Sequence, residues 1–210
     1  MASKETIFIR EWFFNILIAG YYSHFAYQHL QYYLEKEHTT TLLFLIYETL
    51  IVLLALIRRI PKEVSFSFRD WAVAGLGTYT PLMMISAKGE FSGDIIILSL
   101  QLAAIIFSFF GMLSLNRSYG TVPANRGVQT SGLYRFMRHP VYAGYFISMT
   151  CFTLQNLPDF SVAAWNISLL IVTFIALVFR IRYEEEFLMR DEAYQTFAKQ
   201  TRYRLLPGVW

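Results

Sequence analysis

Apolar residues along this chain come in long, nearly unbroken runs. They do not show the strict alternation of half-buried strands or the narrow stripe of a water-facing helix. Six runs stand out, at 12–33, 39–57, 71–87, 94–115, 141–157 and 161–179. A helix needs about 20 such residues to cross about 30 Å of hydrocarbon. The second, fourth and sixth runs meet that length plainly, and the third and fifth are short. The first is the most polar, with Asn15, His24, Gln28 and His29 among its aromatics, so one side of it is expected to face protein. Asn156-Leu157-Pro158-Asp159 reads as the turn between the last two runs, because proline cannot continue the preceding helix. Beyond 179 the pattern turns polar. Phe187, Leu188, Tyr194 and Phe197 are scattered among charges over 183–200, which predicts an amphipathic helix lying on the membrane surface. The expected fold is all-α: a polytopic membrane protein of about six transmembrane helices (five possible), ending in a C-terminal cytoplasmic amphipathic helix. A functional division is expected near residue 116, with a four-span region over 1–115 and a second region over 116–210.

Composition strengthens the membrane reading. Hydrophobic residues make up 55% of 210 positions and charged residues 16%, against about 25% charged in soluble domains. A chain of this size lacks the volume to bury so many apolar helices away from water. The charges add an orientation. With the N-terminus in the cytoplasm, all but Lys36 and Lys88 of the 18 lysines and arginines fall on the cytoplasmic side, as the positive-inside rule requires. Both termini are therefore expected to be cytoplasmic. The net charge of +3 then reflects loops facing anionic headgroups, with membrane lipids as partners and no role for nucleic acid. The opening segment 1–10 does not read as a secretory signal, since the run after it is long, aromatic and without a small-residue cleavage site. A single cysteine, Cys151, leaves no disulfide framework or cysteine metal site. His38 and His139 fall on opposite faces, so no metal is expected.

Two polar clusters flank the last two runs. One is Thr130 to Gly144, containing Tyr134, Arg138-His139-Pro140-Val141-Tyr142 and Gly144; the other is Arg180 to Leu188, containing Glu184-Glu185-Glu186. A helical hairpin returns to the face it left, so the clusters can meet. Pro140 suits a first helical turn, and the free N–H groups there, with Arg138 and His139, can receive an anion. The bland alternative is a basic helix start at headgroup depth. Arg180, Glu184 and Leu188 share a helix face at spacings of four; here the bland alternative is an interfacial ion pair beside a solvated acidic face. Within the runs, Glu48 is costly in lipid, by about 2.5–3.5 kcal/mol if central and charged. It is expected to face protein, paired with His24 or His29, or to meet a polar group of a substrate. Gln101 and Asn166 read as bridges between helices.

The run from Gly132 to Gly144 resembles the R-H-P-x-Y-x-G signature of the isoprenylcysteine carboxyl methyltransferase and phospholipid methyltransferase superfamily. Glu184-Glu185 with Leu188, then Tyr194 and Arg204-Leu205-Leu206-Pro207, is similar to that superfamily's second motif and ending. The resemblance covers about 117–207. It implies an integral membrane methyltransferase using S-adenosylmethionine, with a lipophilic or amphiphilic small-molecule acceptor methylated on a carboxylate or a lipid amine. Cofactor contacts are implied for Tyr134, His139, Pro140, Val141, Tyr142, Glu184 and Glu185, and for the loop residues Gly127, Val128 and Gln129. Arg180 is implied to face the acceptor, with Glu48 as a second candidate substrate contact; Arg180 and His139 are the candidates for the chemistry. The segment 189–193 departs from the Phe-Gly-Glu usual in eukaryotic members, so the resemblance does not extend to an isoprenylcysteine acceptor. Two rival readings stay open at this point: a sterol-reductase-like enzyme using NADPH, and a small transporter or scaffold.

Overall fold

The structure is a computed structural model and describes residues 4–36, 39–86, 94–208 and 210. His38 and Lys88, used above in the metal and topology arguments, lie outside the described residues. Helix accounts for 75% of the chain. The elements are α1 (Lys4–Lys36), α2 (Thr39–Ile57), α3 (Phe68–Tyr79), α4 (Ile95–Leu115), α5 (Pro140–Gln155), α6 (Phe160–Leu188) and α7 (Glu192–Gln200), with two short strands, β1 (Glu63–Val64) and β2 (Ala124–Asn125). Among them α1 packs along α2, α4 along α5, and α3 against α6.

By length and apolarity, α4 and α6 are long enough to cross a membrane, and α2 supplies a shorter apolar helix over Thr41–Ile57. At 1.5 Å per residue, the 21 residues of α4 span about 30 Å. In α4 and α6 large apolar side chains face outward and polar ones are enclosed. Ile96, Phe110, Ile171 and Phe174 are exposed, while Gln101, Asn166 and Thr173 are completely buried. Inside the bundle, Gln155 donates to Gln101 across 3.0 Å, tying α5 to α4. Asn166 both donates to and accepts from the backbone of Ile85, tying α6 to the segment after α3. Both bridges are the partner-finding expected of amides in an apolar medium.

The third and fifth runs form shorter helices than the hydrophobic pattern suggests. Over the expected 71–87 span, α3 has 12 residues and passes into a 3₁₀ turn, Thr80–Met83. Pro81 is the cause: it has no N–H to donate to Gly77, four residues back. The Gly77 carbonyl is satisfied instead by the hydroxyl of Tyr145, at 2.8 Å, as a buried acceptor must be. Helix α5 has 16 residues and starts with Pro140 in its first turn. It lies unusually close to α4, because a Cβ on Gly144 would sit 2.7 Å from the Ala104 carbonyl and 2.8 Å from the Ser108 nitrogen. Gly144 therefore serves close helix packing here.

The expected helix over 183–200 is broken in two. Helix α6 runs straight on to Leu188, and α7 restarts at Glu192 behind Asp191, whose carboxylate caps it by accepting from the Ala193 N–H at 2.8 Å. Short acidic side chains favour this capping position over a helix interior. The break lets α7 fold back. The loops from 58–67 and 116–139 and the tail gather at one end of the bundle, laced by the β1–β2 ladder with Val64 opposite Ala124. Bonds from Arg138 and His139 N–H to the carbonyls of Tyr203 and Arg204 add the tail to this layer.

Candidate active site

At that end the two polar clusters do meet. Adjacent acids on α6 point to different partners, since successive helical residues are about 100° apart. Glu185 is buried and acts as a hub: Arg138 Nε and Arg204 Nε lie 2.8 Å from its two oxygens, and His139 Nε2 lies 3.1 Å away. It thereby joins the start of α5 and the tail to α6. Glu184, on the face shared with Arg180 and Leu188, accepts from the Tyr142 hydroxyl at 2.8 Å. The Tyr142 ring stacks on His139 with centroids 5.4 Å apart and planes 4° from parallel.

Arg180 is buried and held on two sides. It donates to Thr78 Oγ1 at 3.1 Å and to the Thr121 carbonyl at 2.7 Å, and its guanidinium carbon lies 5.0 Å from the Tyr142 ring centre. Among the described residues no ion pair joins Arg180 to Glu184.

Two cavities adjoin here. The smaller, about 110 Å³, is lined by Gly127, Val128, Gln129, Tyr134, His139, Val141, Tyr142 and Glu184 among the residues expected from sequence, and also by Arg126, Leu188, Tyr194 and Phe197. Pro140 and Glu185 do not line it; both are buried behind it. The larger, about 410 Å³, runs into the bundle between α1, α2, α3, α5 and α6, with Glu48 and His29 paired at 2.8 Å in its wall. Met112, Tyr119, Val141, Tyr142 and Arg180 line both cavities and so form the partition between them. Nothing in the sequence singled out Tyr119, Thr78 or Thr121. Tyr194 and Phe197 carried a signal, being three apart on the apolar side of an amphipathic segment.

The electrostatics of the smaller cavity suit a polar ligand with charges of both signs. Burial pushes the Tyr134 and Tyr194 phenols well up, so both remain protonated donors. The Tyr194 hydroxyl is buried with no hydrogen-bond partner among the described residues, as is Arg126 Nε. Such orphaned groups cost about 1–3 kcal/mol each unless something bonds to them. Glu184 offers a carboxylate beside them.

Known proteins bear on this arrangement in one way. No curated protein matches the chain. The model of the Isoprenylcysteine carboxyl methyltransferase (ICMT) family, however, matches residues 95–190, the stretch that holds α4, the loop, α5 and α6 with Glu184 and Glu185. Over that segment, the chain is similar to the isoprenylcysteine carboxyl methyltransferase superfamily of membrane methyltransferases.

Proposed function

We propose that the chain is an S-adenosylmethionine-dependent methyltransferase with the cofactor in the smaller cavity and a lipophilic or amphiphilic acceptor in the larger. The observation that carries this reading is the shared partition of Met112, Tyr119, Val141, Tyr142 and Arg180. Two separate chambers meeting at one wall allow two reactants to be held in line, which is most of what a displacement between positioned groups requires. The donor set fits the cofactor. Glu184 can hold its amine or ribose hydroxyls, and Gln129 and the Tyr194 hydroxyl, unpartnered among the described residues, can meet its carboxylate or adenine edge. When bound, S-adenosylmethionine supplies an electrophilic methyl on a sulfonium.

The chain's own residues divide the remaining work. Arg180, fixed by Thr78 and Thr121, holds an anionic group of the acceptor at the partition. A carboxylate held there needs no general base, since it is already ionised at neutral pH. His139 is a positioning residue: with Nε2 on Glu185 and its ring against Tyr142, it sets the hydroxyl that Glu184 receives. Met112, Val141 and Leu177 keep the junction apolar and short of water. Glu48, with His29, gives the acceptor chamber one further polar point. The site sits on the cytoplasmic face of a multi-pass protein in this reading, with 1–115 mostly building the acceptor chamber and 116–210 the cofactor chamber.

Calorimetric titration of the purified protein with S-adenosylhomocysteine tests the assignment. Binding is expected for the native chain, with no binding of NADPH. Glu184→Gln should weaken it about tenfold or more, the equivalent of a lost charged hydrogen bond of about 1.5–3 kcal/mol. Heat from NADPH in place of S-adenosylhomocysteine would move the chain to reductase chemistry.

A further inference from the structure

A second polar cluster lies on the far side of Arg126 from the smaller chamber's other lining, between α1, α2 and the loop after α4, and shares Arg126 with that chamber's wall. Glu11 accepts from Arg126 at 2.8 Å and from Arg58 at 3.3 Å, and Asn15 accepts from Arg58 Nε. The side chains of Arg58, Arg126 and Glu11 are only 3%, 2% and 6% exposed. Among the described residues two guanidiniums therefore share one carboxylate, leaving one positive charge in excess in a buried place. Burial and the neighbouring Arg126 push Arg58 down to about 10, a sign that the two cations compete. Arg58 Nη1 and Arg126 Nε have no hydrogen-bond partner among the described residues. The next carboxylate acting on Arg126 is Glu184, already bonded to Tyr142.

This cluster forms the floor of a groove of about 220 Å³ between α1 and α3. The two helices touch through aromatic rings at its rims, Phe14 against Trp71 and Tyr21 against Tyr79, each with centroids 5.1 Å apart. Ala74 and Gly75 on α3 are too small to fill the space between. Leu17 and Tyr79 leave the outer side of the groove apolar and about half exposed.

We infer that this groove is a binding site for an anionic phospholipid, with the phosphodiester on Arg58 and Arg126 and an acyl chain along the aromatic and small residues of α1 and α3. The single negative charge of a phosphodiester matches the single positive charge in excess, and guanidiniums hold phosphate oxygens with paired donors. Removing Glu11 under this assignment frees both arginines for the lipid. If the cluster were only a structural tie, the same change would merely loosen it. Arg126 borders the smaller chamber as well, whereas Glu11, Arg58 and Gly75 do not line it, so the S-adenosylhomocysteine titration reports the cofactor assignment separately from the lipid tests on those three residues.

The test titrates purified protein with phosphatidylglycerol and with phosphatidylcholine of the same acyl chains, counting bound lipid by native mass spectrometry. Phosphatidylglycerol is expected to bind about tenfold tighter, the equivalent of one charged hydrogen-bond pair. Glu11→Gln should increase that preference and Arg58→Gln should erase it. Gly75→Leu, where a Cβ meets nothing closer than 3.9 Å, should block both lipids by filling the groove. Equal binding of the two lipids, or an unchanged preference in Glu11→Gln, overturns the inference, and both readings stand even if Arg58→Gln does not fold. Inorganic phosphate that displaces phosphatidylglycerol as well as free lipid does would assign the arginines to a soluble anion and also overturn it.

Discussion

Among single side chains, Arg180 has its guanidinium pinned by Thr78 on α3 and by the carbonyl of Thr121 in the loop, with N–H donors left over at a wall common to two chambers. An arginine fixed in this way can grip a carboxylate or phosphate with parallel bonds that lysine reproduces poorly. Arg180→Ala and Arg180→Lys should therefore lower turnover about tenfold to a hundredfold, the worth of a charged hydrogen bond. S-adenosylhomocysteine affinity should stay close to that of the native chain. The competing account is that Arg180 only steadies the Tyr142 ring 5.0 Å away. On that account cofactor affinity falls and acceptor KM does not change, and the anionic-acceptor assignment is then dropped. The meeting of His139, Tyr142 and Glu184 was legible in the sequence because a helical hairpin returns to the face it left. The separation of Glu184 from Glu185 was not, since it depends on which helix face the returning tail covers. Thr78 and Thr121 act through one hydroxyl and one carbonyl, and such contributions leave no mark on the pattern of residue types.

Secondary-structure elements show the same division between what the chain announces and what packing decides. Helices α4 and α6 and the turn between α5 and α6 follow directly from long apolar runs and a proline-containing tetrapeptide. The length of α3 does not, because the run continues past Pro81 while the hydrogen-bond ladder cannot. The break between α6 and α7 had a signal that hydrophobic scatter concealed: Asp191 followed by Glu192 is a helix start. Asp191 accepts from Asn125 Nδ2 at 2.6 Å as well as from the Ala193 N–H, and these two bonds, the Asn125 one foremost, hold its carboxyl below the usual range. A depressed carboxyl stabilises the fold above its unfolded-state value, and that contribution is lost as pH falls through the lower folded value. Docking of α7 should therefore loosen only below about pH 4, visible as faster amide exchange over Glu192–Gln200. Asp191→Ala should produce the loosening at neutral pH, at a cost of about 0.5–2 kcal/mol for the lost cap. Because Tyr194 and Phe197 on α7 line the smaller cavity, the same substitution should weaken S-adenosylhomocysteine binding. Faster exchange without weaker binding would detach α7 from the cofactor site.

For the molecule as a whole, the question is which way the bundle sits in the bilayer. The end that carries the smaller chamber also carries the loops with Arg58, Arg117, Arg126 and Arg138 and the tail with Arg190, Arg202 and Arg204. The other end is marked by Asp94 and Asp159, which cap α4 and α6. Helix α6 has 29 residues, longer than the hydrocarbon needs. Counting about 30 Å from Phe160 at 1.5 Å per residue reaches Arg180. The charged last turns of α6 then project beyond the apolar core, which places Arg180 at the boundary where an amphiphile's head would lie. Basic loops are retained in the cytoplasm, so the smaller chamber should face it. The measurement is cysteine labelling in a Cys151→Ser background, with an impermeant thiol reagent added to intact cells. Leu157→Cys, in the exposed turn between α5 and α6, should react from outside. Thr130→Cys, in the exposed part of the loop before α5, should react only after lysis. Labelling of the Thr130 position in intact cells would invert the orientation and put methyl transfer on the outer face, where S-adenosylmethionine made in the cytoplasm would have to be carried across. Labelling of both positions from one side would mean that α5 and α6 do not form a membrane hairpin at all, and the two-chamber site would then have to be accounted for in a protein lying on the surface.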